Sequence, residues 1–325
     1  MALPTRTETF NNLYTTTFNN RKSGIIDQIF DIKPGLNFFK RKGKISFDGT
    51  GGRYLEVPLM YGKNATVVSI GRGDTIALNE TAFLTAAQYE WKFMAGTIIN
   101  YFVDSAQNKS KQAAEKLVNA KIDNLKMSLE DKMEEMIFSD GTGNSSKDFE
   151  GLGNLVDDSP TSSLTVGNIA QSTTSWWRNK QKTATGAASV YLRKDMSNLY
   201  NTCSLGDGAG FIDGIITDQT SYELYEDEVL EQRRLYAGDS PDTSFKSGLL
   251  FKGAEMIWSP DCTSGYMYFL NTRYLGFVMD PEIYFMMTEF KPIPNSLDTV
   301  AQVVVKGNLV TTRRSAQGVL TGIAA

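Results

Sequence analysis

Two short segments of this chain carry side chains that could do chemistry. Asp157 and Asp158 are adjacent carboxylates, and paired carboxylates can act as acid and base on a glycosidic bond. Trp176, Trp177 and Arg178 could stack on a sugar or base ring, because aromatic faces and guanidinium groups bind such rings. Together they are the basis for a carbohydrate-binding hypothesis.

The positions of these residues argue against that hypothesis. The two aspartates precede Ser159 and Pro160, a turn sequence, and adjacent turn residues seldom point at one substrate atom. Adjacent tryptophans on a helix or strand point in different directions, so at most one presents a surface. We expect the aspartates to form a turn at a domain boundary and the tryptophans to pack in the core.

Two glycine-containing loops match ligand-binding motifs only in part. Residues 140–144 begin like a calcium loop, but Ser145 and Gly151 occupy the positions that need glycine and glutamate. Residues 206–210 have alternate glycines but lack the third glycine of a dinucleotide fingerprint. We expect a helix cap and a loop, with no cofactor and no metal.

The chain contains no histidine, which excludes Ser-His and Cys-His nucleophile pairs and histidine metal ligands. Cys203 and Cys262 lack the spacing of a zinc or redox motif, so we expect buried free thiols. A net charge of −4 argues against a general nucleic-acid binder. No membrane-spanning run or signal peptide is visible. We therefore expect a globular protein that is not an enzyme.

One long amphipathic helix over residues 109–138 dominates the predicted elements. Its apolar residues recur at steps of three and four, which keeps them on one narrow stripe. At 1.5 Å per residue the helix is about 40 Å long. Ser110 can cap its start and Gly141 its end. The stripe consists of Ala114, Val118, Ile122, Leu125, Leu129, Met133 and Met136.

The flanking sequence indicates β-structure. Residues 89–93 alternate apolar and charged side chains and residues 97–103 are rich in β-branched and aromatic types, so the helix packs on a sheet. Residues 44–47 with 53–59, and then 65–70, predict a glycine-rich hairpin. An isolated hairpin is marginal in water, so we expect another chain to cover it.

The order of these parts resembles that of the major capsid proteins of tailed double-stranded-DNA bacteriophages. A polar arm, a glycine-rich hairpin, a strand and a long helix follow one another, and short motifs come after the helix. The motifs lie at residues 139–143, 149–156, 176–178, 307–309, 313–314 and 317–320.

The resemblance implies an α+β fold with five parts. These are an N-terminal arm (1–42), an extended β-hairpin loop (43–79), a peripheral domain (80–159) with the spine helix 109–138, an axial domain (160–290), and C-terminal strands (291–325) that return to the peripheral domain.

The resemblance also implies that the chain is a structural subunit, which self-assembles into hexamers and pentamers of an icosahedral shell. The shell would enclose double-stranded DNA without reading its sequence, in a virion assembled in the host bacterial cytoplasm. A separate scaffolding protein, a portal protein and decoration proteins would be partners. An encapsulin-like compartment shell is one alternative, and a carbohydrate-binding domain is another.

Charged residues supply candidate contacts between subunits. The C-terminal end of the long helix is acidic, which opposes the helix dipole and places like charges at i,i+4 spacing. We expect this end to meet a basic partner of a neighbouring subunit. The acidic candidates are Glu130, Asp131, Glu134 and Glu135, and the basic candidates are Arg21, Lys22, Lys40, Arg41, Lys42, Arg53 and Lys63.

Removal of residues 1–24 is expected to leave the thermal unfolding of the unassembled subunit nearly unchanged but to lower the yield of shells. This segment has few aliphatic side chains to contribute to a core. Circular dichroism melts and electron microscopy of the full and truncated chains test this, and a large drop in subunit melting temperature would contradict it.

Overall fold

The computed structural model describes residues 33–49, 52–76, 78–79, 82–103, 111–204, 211–236 and 249–324, with side chains except at 111–116 and 230–236. The candidates Arg21 and Lys22, the proposed cap Ser110 and the loop 206–210 lie outside these residues. No helix in the described part of the chain is long and apolar enough to cross a membrane.

Helices and strands are interspersed along the chain. The helices are Pro34–Arg41 (α1), Lys111–Phe138 (α2), Leu152–Leu155 (α3), Ala188–Cys203 (α4) and Gln219–Tyr236 (α5). The strands are Ile45–Phe47 (β1), Tyr54–Met60 (β2), Leu84–Glu90 (β3), Lys92–Asn100 (β4), Thr165–Val166 (β5), Ile169–Ala170 (β6), Lys180–Thr183 (β7), Gly214–Thr217 (β8), Leu249–Phe251 (β9), Ala254–Trp258 (β10), Met267–Leu270 (β11), Leu275–Met279 (β12), Met286–Met287 (β13), Lys291–Pro292 (β14), Thr299–Thr311 (β15) and Gly318–Thr321 (β16).

Helix α2 is the long helix that the sequence predicts. Leu129, Met133 and Met136 of the predicted stripe are buried. Leu125 packs on Gly96 of β4, where a Cβ would collide with its side chain. Beyond the helix, Gly141 has a φ of +76°, which suits the glycine that ends the element. The helix therefore packs on the sheet, as the sequence predicts, and its C-terminal half also contacts α1.

The first sheet is organised by β15. This strand pairs antiparallel with β4 on one side and with β12, β13 and β14 on the other, and β1 adds to β12 in parallel. Met94 and Ile98 of β4 are buried on the side of α2, whereas Phe93 and Ile99 alternate with them and are 57% and 36% exposed. Along β4, one face of the sheet is thus covered by α2 and the other is exposed.

The second sheet has the strand order β7-β16-β11-β8-β10-β9. Helix α4 packs on it, and Gly318 of β16 lies against Leu199 and Cys203 of α4 with no space for a Cβ. The sequence predicts that 291–325 return to the peripheral domain, 80–159, but β16 pairs with β7 and β11, which lie in the predicted axial range, 160–290. This strand is buried along its length in the second sheet, between β7 and β11.

The projecting hairpin consists of β2 and β3, paired antiparallel from Tyr54 with Glu90 to Met60 with Leu84. The predicted strand pairing is wrong in two respects. Strand β1 pairs with β12 of the first sheet, and residues 65–70 form no strand. A reason is that nearly all side chains of 65–70 are exposed, so no buried face selects an extended register.

Glu134 joins α1 to α2 from a buried position. Its two carboxylate oxygens accept hydrogen bonds from the backbone N–H groups of Gly35 (2.8 Å) and Leu36 (2.6 Å), and Ser259 Oγ donates a third at 3.0 Å. These bonds satisfy amides that the first turn of α1 leaves free. Burial raises the pKa of Glu134.

The partner of Glu134 therefore lies in its own chain. Its side chain is 1% exposed, so the expectation that Glu134 contacts a neighbouring subunit is wrong. The sequence indicates correctly that the acidic helix end needs compensation, but the compensation comes from the start of α1.

Other acidic side chains near the C-terminal end of α2 also pair with basic residues at or next to α1 in the same chain. Lys40 pairs with Glu130 at 3.3 Å, and Lys33 lies 3.6 Å from Asp131. Arg41 and Lys42 instead reach toward the second sheet. Arg41 pairs with Glu255 at 2.7 Å, and Lys42 lies 4.0 Å from Asp213. Helix α1 therefore connects α2 to the second sheet within one subunit.

Replacement of Glu134 by Ala is expected to lower the free energy of unfolding by about 2–3 kcal/mol, because it leaves two buried N–H groups without an acceptor. The neighbouring variant Glu135→Ala is the control, since Glu135 is exposed and pairs only along its own helix, with Lys132. Urea unfolding of both variants measures the difference. Equal stability of the two would show that the buried carboxylate does not hold α1.

Candidate functional site

The two adjacent aspartates lie in the turn that the sequence predicts. Asp157 accepts hydrogen bonds from Gln171 Nε2 at 2.6 Å and Ser162 Oγ at 3.2 Å. Asp158 accepts one from the Tyr266 hydroxyl at 2.7 Å, which raises the pKa of Tyr266 to about 12. Each carboxylate thus fixes part of a turn, which is a structural role.

The two tryptophans differ in their surroundings, as their adjacency predicts. Trp177 is 1% exposed and donates its indole N–H to the Val166 carbonyl at 3.0 Å. Trp176 is half-buried and stacks on Tyr61, with ring centroids 5.3 Å apart and planes 14° apart. Trp177 cannot face a ligand, so the pair does not form the ring platform of the carbohydrate hypothesis.

Both cysteines are buried free thiols, as predicted. Burial raises the pKa of Cys203 to about 12 and also raises that of Cys262. The thiolate is the reactive form, so neither is placed as a nucleophile.

The calcium-like segment forms a turn held by its own side chains. Asp140 Oδ1 accepts hydrogen bonds from the backbone N–H and the hydroxyl of Thr142, which hold the pKa of Asp140 below its ordinary value. Asn144 and Ser145 follow in the left-handed region, with φ of 50° and 60°. In the described ranges, no group of three Cys, Asp or Glu side chains is arranged to hold a metal ion.

Arg314 belongs to the motif at 313–314, but the sequence alone does not predict its role in the core. Its guanidinium is fully buried and donates hydrogen bonds to the carbonyls of Leu155 (2.8 Å) and Asn154 (3.3 Å). It also donates to the side-chain oxygens of Gln171 (2.9 Å) and Asn179 (3.2 Å). Burial lowers the pKa of Arg314 to about 10, and the group ties α3 to the two segments that lead into β7.

Glu150 is a partly buried acidic residue close enough to Arg314 for their charges to interact. Burial raises the pKa of Glu150 to about 7, while the ammonium group of Lys92 lowers it by a smaller amount. Its backbone N–H donates to Asn308 Oδ1 at 2.9 Å. Its Oε2 atom is buried and has no hydrogen-bond partner among the described residues. The ionised form is therefore poorly compensated.

The hairpin carries a group of exposed apolar side chains at its end. Isolated exposed apolar residues are common, whereas a contiguous group of them marks a contact surface. In contrast, Leu55 and Leu59 of strand β2 are buried. The exposed group, with exposed fractions, is Met60 (73%), Val67 (81%), Val68 (59%), Ile70 (59%), Ile76 (57%) and Leu78 (97%).

Besides Lys40 and Arg41, which are exposed but paired within the chain, three predicted contact residues are exposed in the subunit. Arg53 lies at the base of the hairpin and pairs with Glu90 at 3.4 Å, and Lys63 lies in the loop between β2 and β3. Glu135 faces outward from α2. Their role in contacts between subunits stays a prediction.

Comparisons with known proteins identify the fold. No protein-family model matches the sequence, and no curated protein matches it. The capsid asymmetric unit of cyanophage A-1(L) matches with a TM-score of 0.65 and 14% identity, over 95% of this chain and 99% of that chain. The capsid of Myoviridae phage XM1 matches with a TM-score of 0.60 and 12% identity, over 93% and 96%.

A cellular compartment protein matches as well. The holo-SrpI encapsulin complex from Synechococcus elongatus PCC 7942 gives a TM-score of 0.56 and 11% identity, over 99% of this chain and 96% of that chain. At such low identities the likeness is one of fold. The chain therefore has the α+β fold of tailed-phage capsid proteins, as predicted, and shares it with this encapsulin.

Replacement of Glu150 by Gln is expected to stabilise the subunit above pH 7 and to have little effect near pH 4.5. Because the folded-state pKa is about 7 and the ordinary value is 4.5, the folded state binds the proton more tightly. The free energy of unfolding of the parent therefore falls as the pH rises from 4.5 to about 7, by on the order of 1–3 kcal/mol. Gln at this position carries no charge, so the variant avoids this loss. Urea unfolding at pH 5 and pH 8 tests this, with the exposed Glu289→Gln as control. A variant that is less stable than the parent at pH 8 would contradict it.

Proposed function

We propose that this chain is a structural, non-catalytic subunit of a viral capsid, which assembles into hexamers and pentamers around double-stranded DNA. The observation that carries the proposal is the correspondence in fold with the cyanophage A-1(L) capsid, over 95% of this chain and 99% of that one. The burial of Trp177 and both cysteines and the use of Asp157 and Asp158 in a turn agree with a structural role.

The surfaces of the subunit support assembly. The apolar loop of the hairpin and the outer face of β4, with Phe93 and Ile99, are both exposed in the single chain. We infer that the hairpin of one copy covers this face of β4 in the next. Such a contact joins two different patches, and it closes into rings when the rotation between copies is a fixed fraction of a turn.

The remaining partners follow from the same proposal. A separate scaffolding protein, a portal protein and decoration proteins would bind the shell, and the subunit would reside in the virion capsid after assembly in the host bacterial cytoplasm. The net charge of −4 suits a container that encloses DNA without holding it tightly, because a strongly basic lining would bind phosphates through counterion release.

An encapsulin-like compartment is the second candidate function, favoured by the match that spans 99% of this chain. The contents of purified particles separate the two functions. A capsid purified from infected cells protects DNA from nuclease, whereas a compartment purified from its native cells encloses protein cargo.

The variant Val67→Asp is expected to abolish or strongly reduce particle formation while the subunit stays folded, because it places a charge in the contact between copies. Val190→Asp is the matched control, since Val190 is 69% exposed and lies on α4 rather than on the hairpin. Negative-stain electron microscopy and light scattering of the co-expressed subunit and scaffold measure assembly. Normal particles from Val67→Asp, or an equal loss with Val190→Asp, would contradict a contact through the hairpin.

A further inference from the structure

A cleft of about 610 Å³ lies between the loop-side end of strand β2 and the body of the subunit. One wall is strand β2, from Pro58 to Met60, which continues to Tyr61. The opposite wall is formed by Ser175, Trp176, Tyr274 and the segment 312–315, and Lys180 also lines the cleft. Its volume lies in the range of clefts that bind ligands in proteins.

The charge of the cleft has one sign. Lys180 and Arg313 line it, and no aspartate or glutamate is among the described residues that do so. Arg314 also borders the cleft, but its guanidinium is bound to internal acceptors. Two cations that are not balanced inside the cleft would be neutralised by carboxylates from outside, through charge-assisted hydrogen bonds.

Four aromatic residues line the cleft. Trp177 is buried, and the other three, Tyr61, Trp176 and Tyr274, form what we call the aromatic wall. Tyr61 and Trp176 stack on each other and hold the loop-side end of β2 against the body. The guanidinium of Arg313 lies 5.6 Å from the Tyr274 ring centroid, so the cation is positioned by its neighbour. An apolar side chain would be held by this wall, with acidic groups on either side.

This combination fits a peptide better than a nucleic acid. Nucleic-acid sites present an extended basic stripe, whereas this cleft has two available cations and several hydroxyl groups in a chain of net charge −4. We propose that the cleft is a docking site for an extended acidic segment of a partner protein. Lys180 and Arg313 bind its carboxylates, and the aromatic wall binds an apolar side chain between them.

The docked segment would contact both the hairpin and the body, so it would fix the angle of the hairpin. This proposal does not depend on the shell function, because binding is measured on the full-length chain in solution before any assembly. Its failure would leave the capsid proposal intact.

The test is fluorescence anisotropy with a labelled peptide of four glutamates around one phenylalanine. We expect saturable binding, loss of binding when the glutamates are replaced by glutamines, and about a tenfold or greater loss with Lys180→Gln/Arg313→Gln. The double variant Arg193→Gln/Lys194→Gln removes the same charges from the exposed face of α4 and should bind like the parent.

A second variant tests the proposal even if Lys180→Gln/Arg313→Gln fails to fold. Met60 is 73% exposed at the edge of the cleft, so Met60→Asp adds a repelling charge without removing a buried contact, and it should also weaken binding. The proposal is overturned by absence of binding, by equal binding to both charge-removal variants, or by tighter binding of oligothymidylate than of the acidic peptide.

Discussion

The folded subunit depends on the hydrogen bonds that compensate one buried cation, the guanidinium of Arg314. A guanidinium carries five N–H donors and stays charged, so its burial is tolerated only where acceptors converge on it. Arg314 follows the longest strand of the first sheet and precedes the buried strand of the second, so it lies where the chain passes from one sheet to the other. Its acceptors come from α3 and from the segments around Gln171 and Asn179. One side chain thus fixes the position of three separate segments.

Glu134, a buried anion, also fixes a separate segment of the chain through hydrogen bonds. Its carboxylate holds the first turn of α1, and Gly35 is required there because a Cβ would lie 2.9 Å from the Oε1 atom. Phe38 and Phe39 of α1 then pack toward different sheets, Phe38 against Gly214 and Phe39 against Phe277. The two buried charges set the geometry of the joint, while apolar packing supplies most of its stability.

The sequence predicts the elements whose signals are local. Three examples are the apolar periodicity of α2, the valine-rich strand β15, and the difference in burial between Trp176 and Trp177. The pairing of strands depends on residues distant in sequence, so the sequence predicts the wrong neighbours for β1 and β16. The burial of Glu134 is also invisible in sequence, because it depends on a helix about 100 residues away. For Arg314, an arginine directly before a buried strand is a weak signal that also fits a solvated turn.

The pairing of β4 with β15 has a consequence for how the chain folds. Lys92 is opposite Gly307, so the first sheet cannot form until more than 200 intervening residues have been synthesised. Contacts so distant in sequence make folding slow, and partly folded chains expose apolar surface during the delay. Helix α2 and the apolar hairpin leave the ribosome early and have no completed sheet to pack on. A newly made subunit therefore exposes apolar surface for as long as its C-terminal strands are missing.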